Sequence, residues 1–196
     1  MNDPLAALIG SRICHDLISP IGAIGNGVEL LALTDGDTSA EMALITESVE
    51  NASARIRFFR IAFGAAGETQ MVGRTEILSI LAAIARGGRF TYYWQVEGDQ
   101  PRRDVRAALL LTQCMESAMP MGGDIEISQT DNRWTMIGRA ARINIDQALW
   151  DGLTNSNDKP AHTAAQVQFA LVPTIMAEAG RQLSVALGDD RISLSF

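Results

Sequence analysis

Over its first thirty residues the chain repeats apolar side chains three or four apart: Leu5, Ile9, Ile13, Leu17, Ile21, Ile24, Val28 and Leu31. That is the period of one helix face. It predicts a helix from about Pro4 to Leu33, with Pro4 as the first helical residue and Asp3 as its N-cap. His15 is off this face. Two residues beyond Ile13 the helix has turned about 200°, so the imidazole points the other way. The row that carries it is Ser11, His15, Ile18, Gly22, Asn26 and Glu29, mostly small or polar. Asp16 follows the histidine directly and Pro20 lies within the same helix. A proline inside a helix costs about 3 kcal/mol by removing an N–H and crowding the preceding turn. Here the lost bond is the one to the carbonyl of Asp16, within a turn of His15.

A turn cluster, Thr34-Asp35-Gly36-Asp37-Thr38, then leads into a second helical pattern from about Ser39 to Gly64. Its main apolar row is Met42, Ile45, Val49, Ala52, Ile56, Phe59 and Phe63. A second row, Ala43, Ala54, Phe58 and Ile61, lies on the other side. Two long helices with a short connection form an antiparallel hairpin. A lone hairpin cannot bury two apolar faces. Either a second hairpin covers them, giving an intermolecular four-helix bundle, or the second row packs on the rest of the chain.

Gly64-Ala65-Ala66-Gly67 breaks the helix and marks a boundary between residues 1–67 and 68–196. Beyond it the pattern mixes strands and helices. Strands are predicted near 70–72, 90–97, 124–130, 133–140, 182–187 and 191–196, and helices over 75–85, 101–119, 146–152 and 163–179. The fold class is α+β, a helical hairpin followed by an α/β sandwich. A net charge of −7 disfavours nucleic acid, whose phosphates call for a basic face. No uninterrupted apolar run reaches the roughly 18 residues of a membrane span, and the first residues carry no basic signal segment. Cys14 and Cys114 are the only cysteines and suit a reducing cytoplasm. With His162 as the one other histidine, neither zinc nor any other metal ligand spacing is present; His162 reads as structural.

His15-Asp16-Leu17-x-Ser19-Pro20 resembles the H-[DE]-L-x-[STN]-P box of histidine kinases. The resemblance implies a phosphorylated His15 on a dimeric hairpin. The order of elements after residue 68, the segment Pro120-x-Gly122-Gly123-Asp124 and the closing hairpin are similar to the kinase ATP-binding domain. The nucleotide boxes themselves are missing. Cys114 stands where kinases carry the Asn that holds Mg²⁺, and Ser117 where they often carry Lys. Gly138-Arg139-Ala140-Ala141-Arg142 stands in place of D-x-G-x-G, and Ala164-Ala165-Gln166-Val167 in place of the glycine loop. A hard cation needs oxygen ligands and close phosphate approach favours glycine, so a kinase-like fold that does not use ATP is expected.

A phosphorylatable hairpin joined to an emptied ATP domain resembles the histidine phosphotransferases of the ChpT type. Ala62-Phe63-Gly64-Ala65-Ala66-Gly67 adds to the likeness. That family implies a cytoplasmic homodimer that relays phosphoryl groups between the receiver domains of a hybrid histidine kinase and of response regulators. It implies no cofactor of its own, Mg²⁺ arriving with the receiver. His15 would be the carrier, with Asp16 orienting the ring or accepting a proton. Ile18, Gly22 and Phe58 would form an apolar footing for the receiver, with Ser19 and Arg57 at its rim; Phe58 has bundle core as its alternative. Two other functions fit the residues: an active histidine kinase with divergent nucleotide motifs, and a non-catalytic receiver-binding module.

Overall fold

The structure is a computed structural model that describes residues 4–33, 38–65, 67, 69–86, 88–155 and 161–196. Two long helices, α1 (Pro4–Leu33) and α2 (Ser39–Ala62), lie side by side as the predicted hairpin. α1 continues through Pro20 without a break. Gly27 sits at the closest approach, because a Cβ there would meet Ile45 Cγ1 at 2.5 Å. The expected turn over residues 34–37, the Asp3 cap and part of the 64–67 boundary lie outside the described residues.

The remainder is the α/β sandwich that the patterning predicts. In order it comprises β1 (Met71–Val72), α3 (Arg74–Ala85), β2 (Phe90–Trp94), β3 (Gln100–Pro101), α4 (Arg102–Ala118), β4 (Gly123–Thr130), β5 (Arg133–Arg139), α5 (Gln147–Gly152), a 3-10 turn (Ala164–Gln166), α6 (Val167–Glu178), β6 (Ser184–Leu187) and β7 (Arg191–Ser195). Five strands form one sheet in the order β2-β4-β5-β7-β6; β2 and β4 are parallel and the other pairs antiparallel. Alternate residues of the central strands, Ile125 and Ile127, Trp134 and Met136, Ile192 and Leu194, are buried on the face that the helices cover. Asp131-Asn132, with φ of 49° and 64°, makes the tight β4–β5 turn. β1 matches the strand expected near residues 70–72; its antiparallel partner β3 was not expected, because Pro101 also reads as a helix start.

The two halves share one core. Phe58, Phe59, Ile61 and Ala62 of α2 belong to the same buried cluster as Ile77, Leu81, Leu109 and Trp134. Of the second apolar row of α2, Phe58 and Ile61 therefore pack on the sandwich of their own chain and Ala54 is buried, whereas Ala43 is exposed. Phe59, from the main row, is only 5% exposed and is likewise used internally. Arginines of α4 close the end of α2: Arg102 donates to the carbonyl of Arg60, and Arg106 Nε to that of Ala62 at 3.2 Å. Both satisfy helix-terminal carbonyls that no longer have intrahelical partners. Arg86–Glu50 at 2.6 Å and Arg60–Glu76 at 3.0 Å tie α2 to the segment of α3.

What stays open is one side of the hairpin. On α1, Ile18, Ile21 and Val28 are exposed; on α2, Met42, Val49 and Ile56 are exposed, spaced seven apart so that all three share a direction. The opposite side of the hairpin, through Ala23, Leu44 and Asn51, faces Ala83 and Ile84 of α3. By length and composition α1 is apolar enough to cross a bilayer, which the search for an uninterrupted apolar run misses. In this fold Leu5, Leu8, Ile9, Ile13 and Leu17 of α1 pack against the core instead, with Arg12, His15 and Asp16 among them in sequence.

Candidate functional site

The whole predicted row from Ser11 to Glu29 is exposed. His15 stands out on it, its side chain 84% accessible. The neighbours that hold it are not. Asp16 and Arg12, on the flank of α1 that faces the sandwich, are 12% and 18% accessible. Asp16 Oδ1 lies 3.1 Å from His15 Nδ1, and Arg12 Nε donates to Asp16 Oδ2 at 2.8 Å. The other end of the guanidinium donates to the backbone carbonyl of Ala165, in the 3-10 turn, at 3.0 Å. An ionised carboxylate only accepts hydrogen bonds, so the contact with Asp16 selects the imidazole tautomer with its proton on Nδ1. Nε2 then carries the lone pair and faces solvent.

Of the expected receiver footing, Ile18, Ser19 and Gly22 are exposed beside His15, and a Cβ at Gly22 would meet nothing. Phe58 is not part of it. It is 4% exposed, beneath Arg12 and Asp16 rather than beside the ring, because the row that carries it faces the sandwich. Arg57 is tied to α3, donating to Ser79 Oγ at 3.4 Å. His162 is half-buried, and burial lowers its imidazole pKa.

Behind Asp16 the hairpin and the sandwich enclose polar chemistry that the sequence reading missed. Glu116 of α4 shares a small cavity with Arg12, Asp16, Arg55 and Phe58. Burial raises its carboxyl above the usual range, while a hydrogen bond from Tyr92 Oη at 2.7 Å and the charges of Arg12 and Arg55 oppose the rise. Tyr92 is pushed upward in turn, by burial first and then by Glu116. The sequence signal for Arg12 was available: it precedes Asp16 by four residues, the spacing of a helical ion pair. Nothing local marks Glu116, whose role depends on a contact between distant elements.

A larger cleft of about 630 Å³ opens on the other side of Arg12, between α4, α5 and the 3-10 turn. Gln113, Glu116 and Ser117 line it from α4. Cys114 does not: it is fully buried in the core, where burial raises its thiol pKa. One helical step turns about 100°, so the position that the motif comparison assigns to a Mg²⁺ ligand faces away from the cleft. Gly138 also faces inward, toward the sulfurs of Met115 and Met119. Among the described residues no group of three or more His, Cys, Asp and Glu is placed to hold a metal.

The family profile for the histidine phosphotransferase C-terminal domain matches residues 74–191, more than half of the chain. The chain belongs to the histidine phosphotransferase family. It is 33% identical over 189 residues to the protein phosphotransferase ChpT of Brucella abortus (strain 2308), covering 92% of this chain and 89% of that one. A solved bacterial phosphotransferase superposes with a TM-score of 0.80 at 31% identity, over 98% of this chain and 95% of that one. The histidine kinase AdeS of Acinetobacter baumannii aligns at a TM-score of 0.46 and 12% identity, over 92% of this chain and 95% of that one. The expected family and the α+β class therefore hold, and the molecule is a histidine phosphotransferase of phosphorelay signalling.

Proposed function

We propose that His15 is the phosphoryl carrier between receiver-domain aspartates, and that the chain does this without ATP. The observation that carries the reading is an 84% accessible imidazole whose Nδ1 is held by a carboxylate. In the forward step the Nε2 lone pair attacks the phosphorus of an aspartyl phosphate on the receiver. The N–P bond forms, the acyl P–O bond breaks, and the receiver's carboxylate leaves with its electron pair. Positive charge develops on the ring, and Asp16, beside the Nδ1 proton, stabilises it or takes that proton. The phosphoimidazole is then the donor to the next aspartate by the reverse path. Positioning supplies much of the catalysis in such transfers, and Mg²⁺ belongs to the acidic pocket of the receiver.

Independence from ATP is supported by the turn where a kinase would approach the phosphates. Ala164 and Ala165 carry Cβ atoms there. The carbonyl of Ala165 accepts from Arg12, so an acceptor and not an N–H points at the cleft. Thr163 and Gln166 form a reciprocal capping box that already uses N–H groups of the turn. Ile18, Ser19 and Gly22 serve as the receiver's footing, and the open apolar side of the hairpin serves a second copy, giving a cytoplasmic homodimer.

The test mixes the full-length protein with a panel of the host's receiver domains charged with radiolabelled acetyl phosphate. Wild type is expected to take label from at least one receiver, and His15→Ala to fold and take none. His162→Ala should retain transfer, and labelled ATP–Mg²⁺ should leave the wild type unlabelled. Label on His15→Ala overturns the carrier; label from ATP turns the reading to an active kinase.

A further inference from the structure

The geometry points to Arg12 as a positioning residue through which the C-terminal domain fixes the tautomer of His15. The inference rests on His15 being the carrier. Asp16 is the next residue along the helix, so its side chain leaves α1 about 100° away from the imidazole. Left alone, its carboxylate has no reason to lie against Nδ1. Arg12 supplies the reason. Its Nε occupies one carboxylate oxygen at 2.8 Å, leaving the other 3.1 Å from Nδ1. An exposed helical ion pair of this spacing would be loose and weak. This one is mostly buried on both sides and is anchored at a third point, the Ala165 carbonyl, 153 residues away in sequence.

The chain of contacts thus runs from the backbone of the 3-10 turn to Arg12, to Asp16, to the ring. Each carboxylate oxygen has a separate partner, and the planar fork of the Arg12 guanidinium reaches both Asp16 and the turn. Glu116 and Arg55 border the same small cavity as the pair, and Arg89 and Asp146 line the larger cleft that Arg12 also borders. The C-terminal sandwich is then more than a surface beside the histidine. It sets which ring nitrogen is the nucleophile, and an unrestrained imidazole would divide between its two tautomers.

Two measurements test this on the full-length protein. Nitrogen-15 NMR of the histidine rings, with no receiver present, reads the tautomer directly. Wild type should show His15 protonated on Nδ1. Arg12→Ala should shift the ring toward a mixture of tautomers. Transfer from a labelled receiver at saturation should fall by about tenfold in Arg12→Ala, with the receiver's apparent affinity changed less than about twofold, since the lost function is orientation. Arg12→Lys keeps the charge without the fork and guards against misfolding of the alanine variant; it should lose several-fold in rate as well. An unchanged Nδ1–H signature in Arg12→Ala, or a wild-type rate in Arg12→Lys, overturns the inference. If the wild type takes no label at all, the carrier reading fails instead, while the NMR arm still decides whether Arg12 controls the ring.

Discussion

Glu116 is a half-buried carboxyl beside Arg12 and Asp16, and its ionisation is coupled to folding. Burial is the largest influence on it and raises its pKa; Tyr92, Arg12 and Arg55 pull it back, and Asp16 adds to the rise. A carboxyl raised in the folded state holds its proton more tightly there than in the unfolded chain. The stability it contributes is complete below the unfolded value of 4.5 and is lost as pH climbs through the folded value. Glu116→Gln removes that titration while leaving an oxygen for Tyr92 to donate to. Its melting temperature relative to wild type should therefore rise as pH goes from about 4 to about 8. A difference that stays constant across that range would show that Glu116 does not titrate against the fold. The outward direction of His15 was legible in the sequence from the helical period, but its contact with Asp16 was not fixed by adjacency: it goes with the Arg12 bond to the other carboxylate oxygen. Phe58 was misplaced as receiver footing, since period alone says which residues share a face but not what covers it. The inward direction of Cys114 was not legible, because a motif aligned by its flanking Pro120 and glycines says nothing of which way a helix has turned.

At the scale of elements, the hairpin is set by how closely its helices approach. Gly27 faces Ile45 with no room for a side chain, whereas Gly10 lies in open space within the same helix. Gly27→Val should push α1 and α2 apart and destabilise the protein by about 1–3 kcal/mol, the usual cost of overpacking. Gly10→Ala should do the reverse and add up to about 1 kcal/mol, by restricting the unfolded chain and favouring helix. Denaturant titrations of the two variants separate the effects; opposite signs are the expected outcome, and a neutral Gly27→Val would mean that the helices slide freely. Nearly every helix and strand was readable from periodicity, including the long α1 across Pro20. β1 falls on the strand expected near residues 70–72, whereas its partner β3 was not readable, because Pro101 also starts the α4 pattern. The joining of hairpin to sandwich was not either. It depends on Arg102 and Arg106 capping α2 from forty residues away, and no local pattern encodes such a contact.

The whole molecule retains one apolar face for which its own chain has no cover. The row of Ala54, Phe58 and Ile61, half of the sequence-based case for a dimer, is consumed by the sandwich. Ile21 at 58%, Val28 at 53%, Val49 at 46% and Ile56 at 54% exposure remain, on the side of the hairpin away from that sandwich. Exposed aliphatic side chains on both helices of a hairpin are unfavourable in water, and the proposed homodimer would cover them. A two-fold axis lets the same rows cover each other, α1 and α2 of one protomer against those of its partner, completing four helices. His15 is not one of these four exposed aliphatic residues and is 84% accessible, so a dimer formed through them would leave both imidazoles reachable. Ile56→Glu places a charge in the middle of the row without touching the internal core. It should convert the protein to a monomer at micromolar concentration, as read by light scattering, with its far-ultraviolet circular dichroism retained. The monomer should still accept a phosphoryl group on His15, because Arg12, Asp16 and Ala165 all come from one chain. A variant that remained dimeric would move the association surface elsewhere; a monomer that lost transfer would mean that the second protomer contributes to the receiver's footing.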